Sequence, residues 1–288
     1  MSLRLVLVIA SLTLREIVRR RILWVLVGLS VVSVILVGWG VDRLVSIGRE
    51  EGLDEVRIRI GVSQVLILIA FMFSFVLAMS AAFLAAPAIA SDVETGTVHA
   101  MLARPLQRAE LVVGRWLGLS VIVGGYAALS GLLAVAAVGF VSGHQPPSPA
   151  VAIGFLAFQA IAVLTMALAL GTRLPSIAAG AVTVVLFGLG WFAGVLGNIA
   201  VAFNADALVG VGNVTRVLLP TDGLWRGVIY GLEPPMVVLL SATRSAEAMR
   251  ANPFFADAPP PALFVAWSVL WVALVLGAGV LAFRRREL

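Results

Sequence analysis

Six long apolar runs divide the chain: Ile22–Val41, Ile60–Ala90, Leu111–Val141, Val151–Leu170, Ile177–Leu196 and Leu263–Phe283. Each reaches the roughly 20 residues that a helix needs to cross the hydrocarbon core of a bilayer. A helix satisfies its backbone hydrogen bonds within itself, as that core demands. The pattern predicts an all-α polytopic membrane protein with six transmembrane helices, built as a single transmembrane domain over 1–288. The second and third runs are about 30 residues long, more than the core accommodates, so they are expected to tilt or to project into water.

Three stretches break the pattern. Residues 1–21 are apolar early and basic late, which suits an N-terminal elbow helix lying in the interface; the alternative is a helical extension of span one. Residues 91–110 form a loop, "SDVETGTVHAMLARPLQRAE". In it Ser91-x-x-Glu94 fits a capping box, Asp92 and Glu94 suit the positive end of a helix dipole, and Val93, Val98, Met101 and Leu102 give one apolar side. The loop therefore predicts a short amphipathic helix ending at Arg104 and Pro105. The third stretch, 198–262, is too long for a turn. Thr221 or Asp222 stands where a short helix through Trp225 to Tyr230 would be capped, Met236–Met249 reads as an amphipathic helix, and prolines 259–261 stop structure before span six. The other reading of this segment is a loosely ordered loop.

Charge gives these elements sides. The 20 basic residues are all Arg. They concentrate in the N-terminal segment, around 104–115, at Arg173 and at Arg284, Arg285 and Arg286, all on one side if there are six spans. The positive-inside rule makes that side cytoplasmic, with both termini, in the plasma (inner) membrane, and makes 198–262 an extracytoplasmic, partly membrane-associated helical segment. The run after Arg19–Arg21 is longer than a signal-peptide core, so it reads as a retained span. Composition agrees with the class: 61% hydrophobic and 12% charged over 288 residues, mean hydropathy +1.08, against about 45–50% and about 25% for soluble domains.

The candidate chemistry is sparse. Without Lys the chain cannot carry a Walker A loop; without Cys it has no disulfide, thiolate zinc site or thiol nucleophile. His99 and His144 lack partners at metal-ligand spacing and read as solvated loop residues. The spans contain no ionisable residue of the kind an ion-coupled carrier places at mid-membrane. Gln64, Gln159, Ser74, Ser80, Thr165 and Asn198 read as hydrogen-bonding residues between helices. Gly114/Gly118 and Gly190/Gly194 form GxxxG pairs, with Gly197 beyond, and point to close helix packing. Spans two and five are the expected path and dimer seam.

The stretch "DVETGTVHAMLARPLQRAELVVGRWLG" resembles the signature loop of ABC-2 type transporter permeases: Glu94, Gly96, Thr97, Arg104, Pro105 and Arg115 match its pattern. "LREIVRRRILW" resembles the family's elbow helix, with Glu16 at a recurrent acidic position. "LLPTDGLWR" is similar to a segment of the NosY-type branch, the permeases of nitrous oxide reductase maturation. The resemblance covers essentially the whole chain. It implies a non-catalytic permease subunit, in two copies, whose 91–110 loop is a coupling helix seated in a separate ABC ATPase, also in two copies. It implies no cofactor on this chain, ATP and Mg on the partner ATPase, and no nucleic acid. The contact residues it marks are Glu94, Gly96, Thr97, Met101, Arg104 and Glu16. Glu94 would cap and orient the helix, Gly96 would permit close approach, and Met101 would fill an apolar pocket. Export is the expected direction. The alternatives are an ABC-type module acting mechanically on an extracytoplasmic partner, an ion-coupled secondary carrier and, furthest off, an intramembrane enzyme.

Overall fold

The computed structural model describes residues 2–19, 21–96, 107–203, 205–241 and 252–286; for 21–26, 29, 202, 236, 240 and 241 it describes the backbone alone. Every regular element among these residues is a helix: α1 Leu3–Val18, α2 Arg21–Glu50, α3 Glu55–Ala85, α4 Pro87–Glu94, α5 Arg108–Ser142, α6 Pro149–Gly171, α7 Ser176–Ala202, α8 Asp206–Leu218, α9 Thr221–Leu232, α10 Pro235–Ser241 and α11 Ala262–Arg284. Six stretches are long and apolar enough to cross a membrane, namely Ser30–Glu50, Glu55–Glu94, Arg108–Ser142, Pro149–Gly171, Ser176–Val201 and Ala262–Arg284. They are the six predicted spans. The face carrying the chain's ends is called the terminal face below, and the opposite one the distal face.

The ends of the spans show what packing adds. The expected 42–59 loop shrinks to a turn at 51–54. Val37, Val41 and Val45 on α2 and Ile58, Val62 and Leu66 on α3 recur every fourth residue and are buried in one core. This apolar stripe carries the helices past the charged residues, which ride on its outer side. The second span is a joined pair: α3 passes through Ala86, still helical and bonded to Ala82 O, into α4. Pro87 has no N–H to continue the ladder, so the backbone bonding is interrupted at the joint.

α6 is the hub. Val163, Leu164, Ala167 and Leu168 are wholly buried, and the helix touches α3, α5, α7, α9 and α11. α1 is a helix in its own right. Its buried positions Val6, Ala10, Thr13 and Ile17 share one face, which lies along the start of α5. A Cβ on Gly114 would come within 2.7 Å of Ile9 Cβ, and one on Gly118 within 2.7 Å of Ala10 O. The first GxxxG pair thus seats α1 within the same chain.

The distal segment departs most from expectation. α9 is packed into the bundle against α6, with Leu224, Trp225, Val228 and Ile229 at most 1% exposed and the Phe155 ring pressed on Gly227. Trp225 joins a cluster of rings with Phe71, which also meets Trp191 at a tilt and Phe254 edge-on. Neither Thr221 nor Asp222 caps the helix, since both lie in its first turn. Asp222 instead pairs with Arg216 Nε at 2.7 Å. Arg216 donates to Gly194 O and Asn198 Oδ1, and Arg226 to the same Asn198 oxygen at 2.7 Å. Gly194 makes room, because a Cβ there would overlap the Asp222 carboxylate. Of the expected helix Met236–Met249, α10 is its described start, and 242–251 lie outside the described residues.

Several polar residues within the spans bond to their packing neighbours or their own helix. Gln159 donates to Thr221 O, Trp116 Nε1 to Thr165 Oγ1, and Ser74 to Phe71 O on its own helix. Expected to be solvated, His144 is half-buried, with Nε2 2.8 Å from Ser63 Oγ; burial and nearby Arg59 hold it below its usual range. His99 lies outside the described residues. Just beyond α9, Glu233 is 2% exposed. Its Oε1 accepts from Gln64 Nε2 at 3.0 Å, and burial pushes its carboxyl up to about 7.

This packing can be tested at two points. Gly118→Ala forces α1 away from α5 and should destabilise by about 1–3 kcal/mol, read as a lower Tm in detergent and faster proteolysis within residues 2–19. Glu233 is raised from 4.5 to about 7 on folding, so the folded state holds the extra proton between those values. Its contribution is full below about 4.5 and is lost as pH rises through about 7. Glu233→Gln should therefore match the parent's Tm at pH 4 and exceed it at pH 8.

Candidate functional site

At the terminal face the ends of several helices are stitched together. Glu110 in the first turn of α5 accepts from Ser2 N on Oε1 and from Gln107 N on Oε2. It is the capping box that forms here. Arg108 Nη1 donates to Phe283 O at 3.1 Å and to Arg286 O at 2.6 Å, where the free carbonyls at the end of α11 attract a cation. Arg286 in turn donates to Thr172 O at 2.7 Å, in the turn between α6 and α7.

The box expected at Ser91 and Glu94 is absent. Apolar positions continue through Pro87, so the helix begins there and Ser91 is an interior residue whose Oγ donates to Pro87 O. Glu94 is then at the C-terminal end of its own helix, where the dipole disfavours a carboxylate. It serves another helix: its Oε1 accepts from Ser176 N at 2.7 Å, and both oxygens lie 3.1–3.2 Å from Ser176 Oγ. Ser176 is the first residue of α7, so Glu94 caps span five across 82 residues of sequence.

Gly96 has φ +73°, and its N–H reaches Val93 O. That left-handed turn after a helix end is the conformation glycine adopts without strain. Among the described residues a Cβ there meets nothing within 4 Å, so the backbone conformation by itself calls for glycine. Thr97, Met101 and Arg104 lie outside the described residues, as does any helix between 97 and 106.

Behind this edge Asp92 Oδ2 and Arg115 Nη2 form an ion pair, with 16% and 12% of the side chains exposed. Both line a cavity of about 800 Å³ between α1, α3, α4 and α5, and Glu16 lines the same cavity. The structure thus brings Glu16 of α1 to the Asp92–Arg115 pair and ties Glu94 to α7. Sequence reading missed Ser176, Arg108 and Arg286. No local spacing signals bonds between residues 80–180 positions apart; the only hint was basic side chains placed at helix ends.

Family comparison agrees with the six-span architecture. The chain belongs to the ABC-2 family transporter proteins, whose family model matches residues 7–288. It is a permease component of a membrane transporter, of a kind that usually works with an ABC ATPase. No curated protein matches the chain.

The Asp92–Arg115 pair predicts a specific coupling. Asp92→Ala or Arg115→Ala alone removes one half of this part-buried ion pair and leaves the other charge without it. In a double-mutant cycle on thermal unfolding, the double variant should lose less stability than the two single losses summed, by about 0.5–3 kcal/mol.

Proposed function

We propose that this chain is the membrane-spanning subunit of an ATP-driven exporter, assembled as two copies with two copies of a separate ABC ATPase that binds ATP and Mg. The terminal face is cytoplasmic on this reading, and the 91–110 loop is the coupling element on which the ATPase docks. Arg placement supports the orientation. The absence of Lys supports the need for an ATPase partner, since this chain has no Walker lysine to set on a nucleotide.

The observation that carries the reading is how the loop is anchored. Its first end, α4, is bonded to α5 through Asp92–Arg115 and to α7 through Glu94–Ser176. Its second end, Gln107 and Arg108, is bonded through Glu110 and to the end of α11. A push on residues 95–107 therefore reaches spans two, three, five and six together. Thr97, Met101 and Arg104 are the proposed ATPase contacts, with Met101 filling an apolar pocket. Gly96 sets the turn that presents them, Glu94 transmits movement to α7, and Glu16 faces the junction from the elbow. A place in the NosY-type branch belongs to the same reading and rests on Leu218–Arg226.

The test is a complex reconstituted with the ATPase. Met101→Asp should sharply reduce ATPase co-purification. Glu94→Ala should leave the ATPase bound but uncouple hydrolysis from transport. Normal assembly and normal coupled transport in both variants would sink the assignment.

A further inference from the structure

Just past α9 the bundle buries a carboxyl whose two oxygens are treated unequally. Glu233 is 2% exposed; its Oε1 accepts from Gln64 Nε2 at 3.0 Å, and its Oε2 has no hydrogen-bond partner among the described residues. An ionised carboxylate with an unmatched oxygen is costly to bury, and the neutral acid far less so. The position is also a joint. Glu233 leaves α9 in extended backbone and is followed by Pro234 and Pro235. Pro235 is exposed, so water stands two residues away.

The bond to Gln64 lies across the end of a cavity. Val228 and Leu232, on the last turn of α9, line a space of about 240 Å³ shared with α2, α3, α5 and α6. The helix directions put Leu66, Ala152 and Leu232 at its distal end, next to Gln64 and Glu233. The rest of α9 is held elsewhere: Phe264 presses on Gly223, Phe155 on Gly227, and Arg226 bonds Asn198. Among the described residues the last turn has one further hydrogen bond to another segment, from Ser148 N to Gly231 O at 3.1 Å.

We infer that the Glu233 carboxyl is a proton-operated latch: protonated, it fastens the last turn of α9 to α3; ionised, it leaves for water and frees that turn from the distal end of the cavity. Few charges stand near it. On α3, Arg57 and Arg59 are exposed toward the tip, where Arg59 pairs with Glu55 at 3.5 Å. α6, α7 and α10 hold no ionisable side chain. In the turn before α6, His144 bonds Ser63 and has Arg59 for its charged neighbour. α8 and α9 carry Asp206, Arg216, Asp222 and Arg226; the last three are tied through Asn198 and one another, and Asp257 acts on Arg226. Among the described residues none of these charges acts on Glu233: burial draws it up to about 7, and Gln64 alone opposes that. Freed into water it returns to 4.5, so the latched state binds the proton more tightly by 7 − 4.5 = 2.5 powers of ten, roughly 300-fold. Latching is therefore strongest below about 4.5 and weakens as pH rises to about 7. That the pH felt is the extracytoplasmic one rests on the orientation proposed above; the latch itself does not.

The chain has no cysteine, so nitroxide labels can be placed at Val56→Cys on α3 and Leu239→Cys on α10, both exposed positions. The full-length protein in nanodiscs is measured by double electron–electron resonance from pH 4 to 8. One short distance should dominate at pH 4. A longer one should grow against it, by up to roughly 300-fold, and level off near pH 7. Glu233→Gln should keep the short distance throughout. Gln64→Leu removes the donor that favours the ionised form, so the levelling-off should move above pH 7, which loss of a merely structural bond would not cause. His144→Gln should leave the profile unchanged. A Val56→Cys/Val151→Cys pair, across α3 and α6, should show no pH dependence.

Distances that ignore pH in the parent pair overturn the latch. So does a pH dependence that survives Glu233→Gln or vanishes in His144→Gln. An equal change in the α3–α6 pair overturns it by placing the motion in α3. A carboxyl band that titrates near pH 7 in infrared spectra with no change in distance overturns it too, by showing that water reaches Glu233 in place.

Discussion

The hydrocarbon core offers no hydrogen-bond partners, so every polar group brought into this bundle has to arrive with its own. The spans obey by being almost wholly apolar. The exceptions come from the segments between them. α9 inserts a carboxylate and a guanidinium into the bundle, and neither stands alone: Asp222 meets Arg216, and both guanidiniums share Asn198 of α7. Glu233 is less well satisfied, with one oxygen on Gln64 and the other, Oε2, buried without a hydrogen-bond partner among the described residues. Burial raises its proton affinity, and the bond from Gln64 only partly offsets this.

Without a hydrophobic driving force between helices in lipid, association depends on close contact, and here small residues supply it. Gly114 and Gly118 receive α1, Gly194 receives Asp222, and Gly227 receives the Phe155 ring. The spaces are already filled from within the chain. These GxxxG pairs therefore describe intramolecular seats, and they leave the apolar rows of α3 and α7, such as Met72, Val76, Val185 and Leu189, exposed on the single chain.

The terminal face follows the same logic in a wetter setting. Helix ends carry unsatisfied N–H and C=O groups, and in this chain charged side chains from distant segments meet them. Glu94 takes the N–H of Ser176, Arg108 the last carbonyls of α11, and Arg286 the carbonyl of Thr172. Each bond satisfies a helix terminus and also joins two spans. A loop hung between such anchors has firm attachments at both ends, which a device that passes force from a partner to the bundle requires.

Residue order alone was enough for the class, the six spans and the family, because twenty apolar residues in a row have few fates and the 91–110 pattern is long. The family resemblance marked Glu94, Gly96 and Arg115 in the loop pattern and Glu16 in the N-terminal segment. What residue order misassigned were partners. Ser91-x-x-Glu94 reads locally as a capping box, but whether a helix begins at Ser91 or passes through it depends on the apolar stripe of α3 and α4, and the helix that Glu94 caps begins 82 residues away. The burial of α9 was hidden because Thr221–Leu232 has the mixed composition of a surface helix. Only the assembled bundle supplies the glycine seats and the Arg216 and Arg226 contacts that let it enter. Local chemistry fixes which groups need partners; the fold decides which partners they meet.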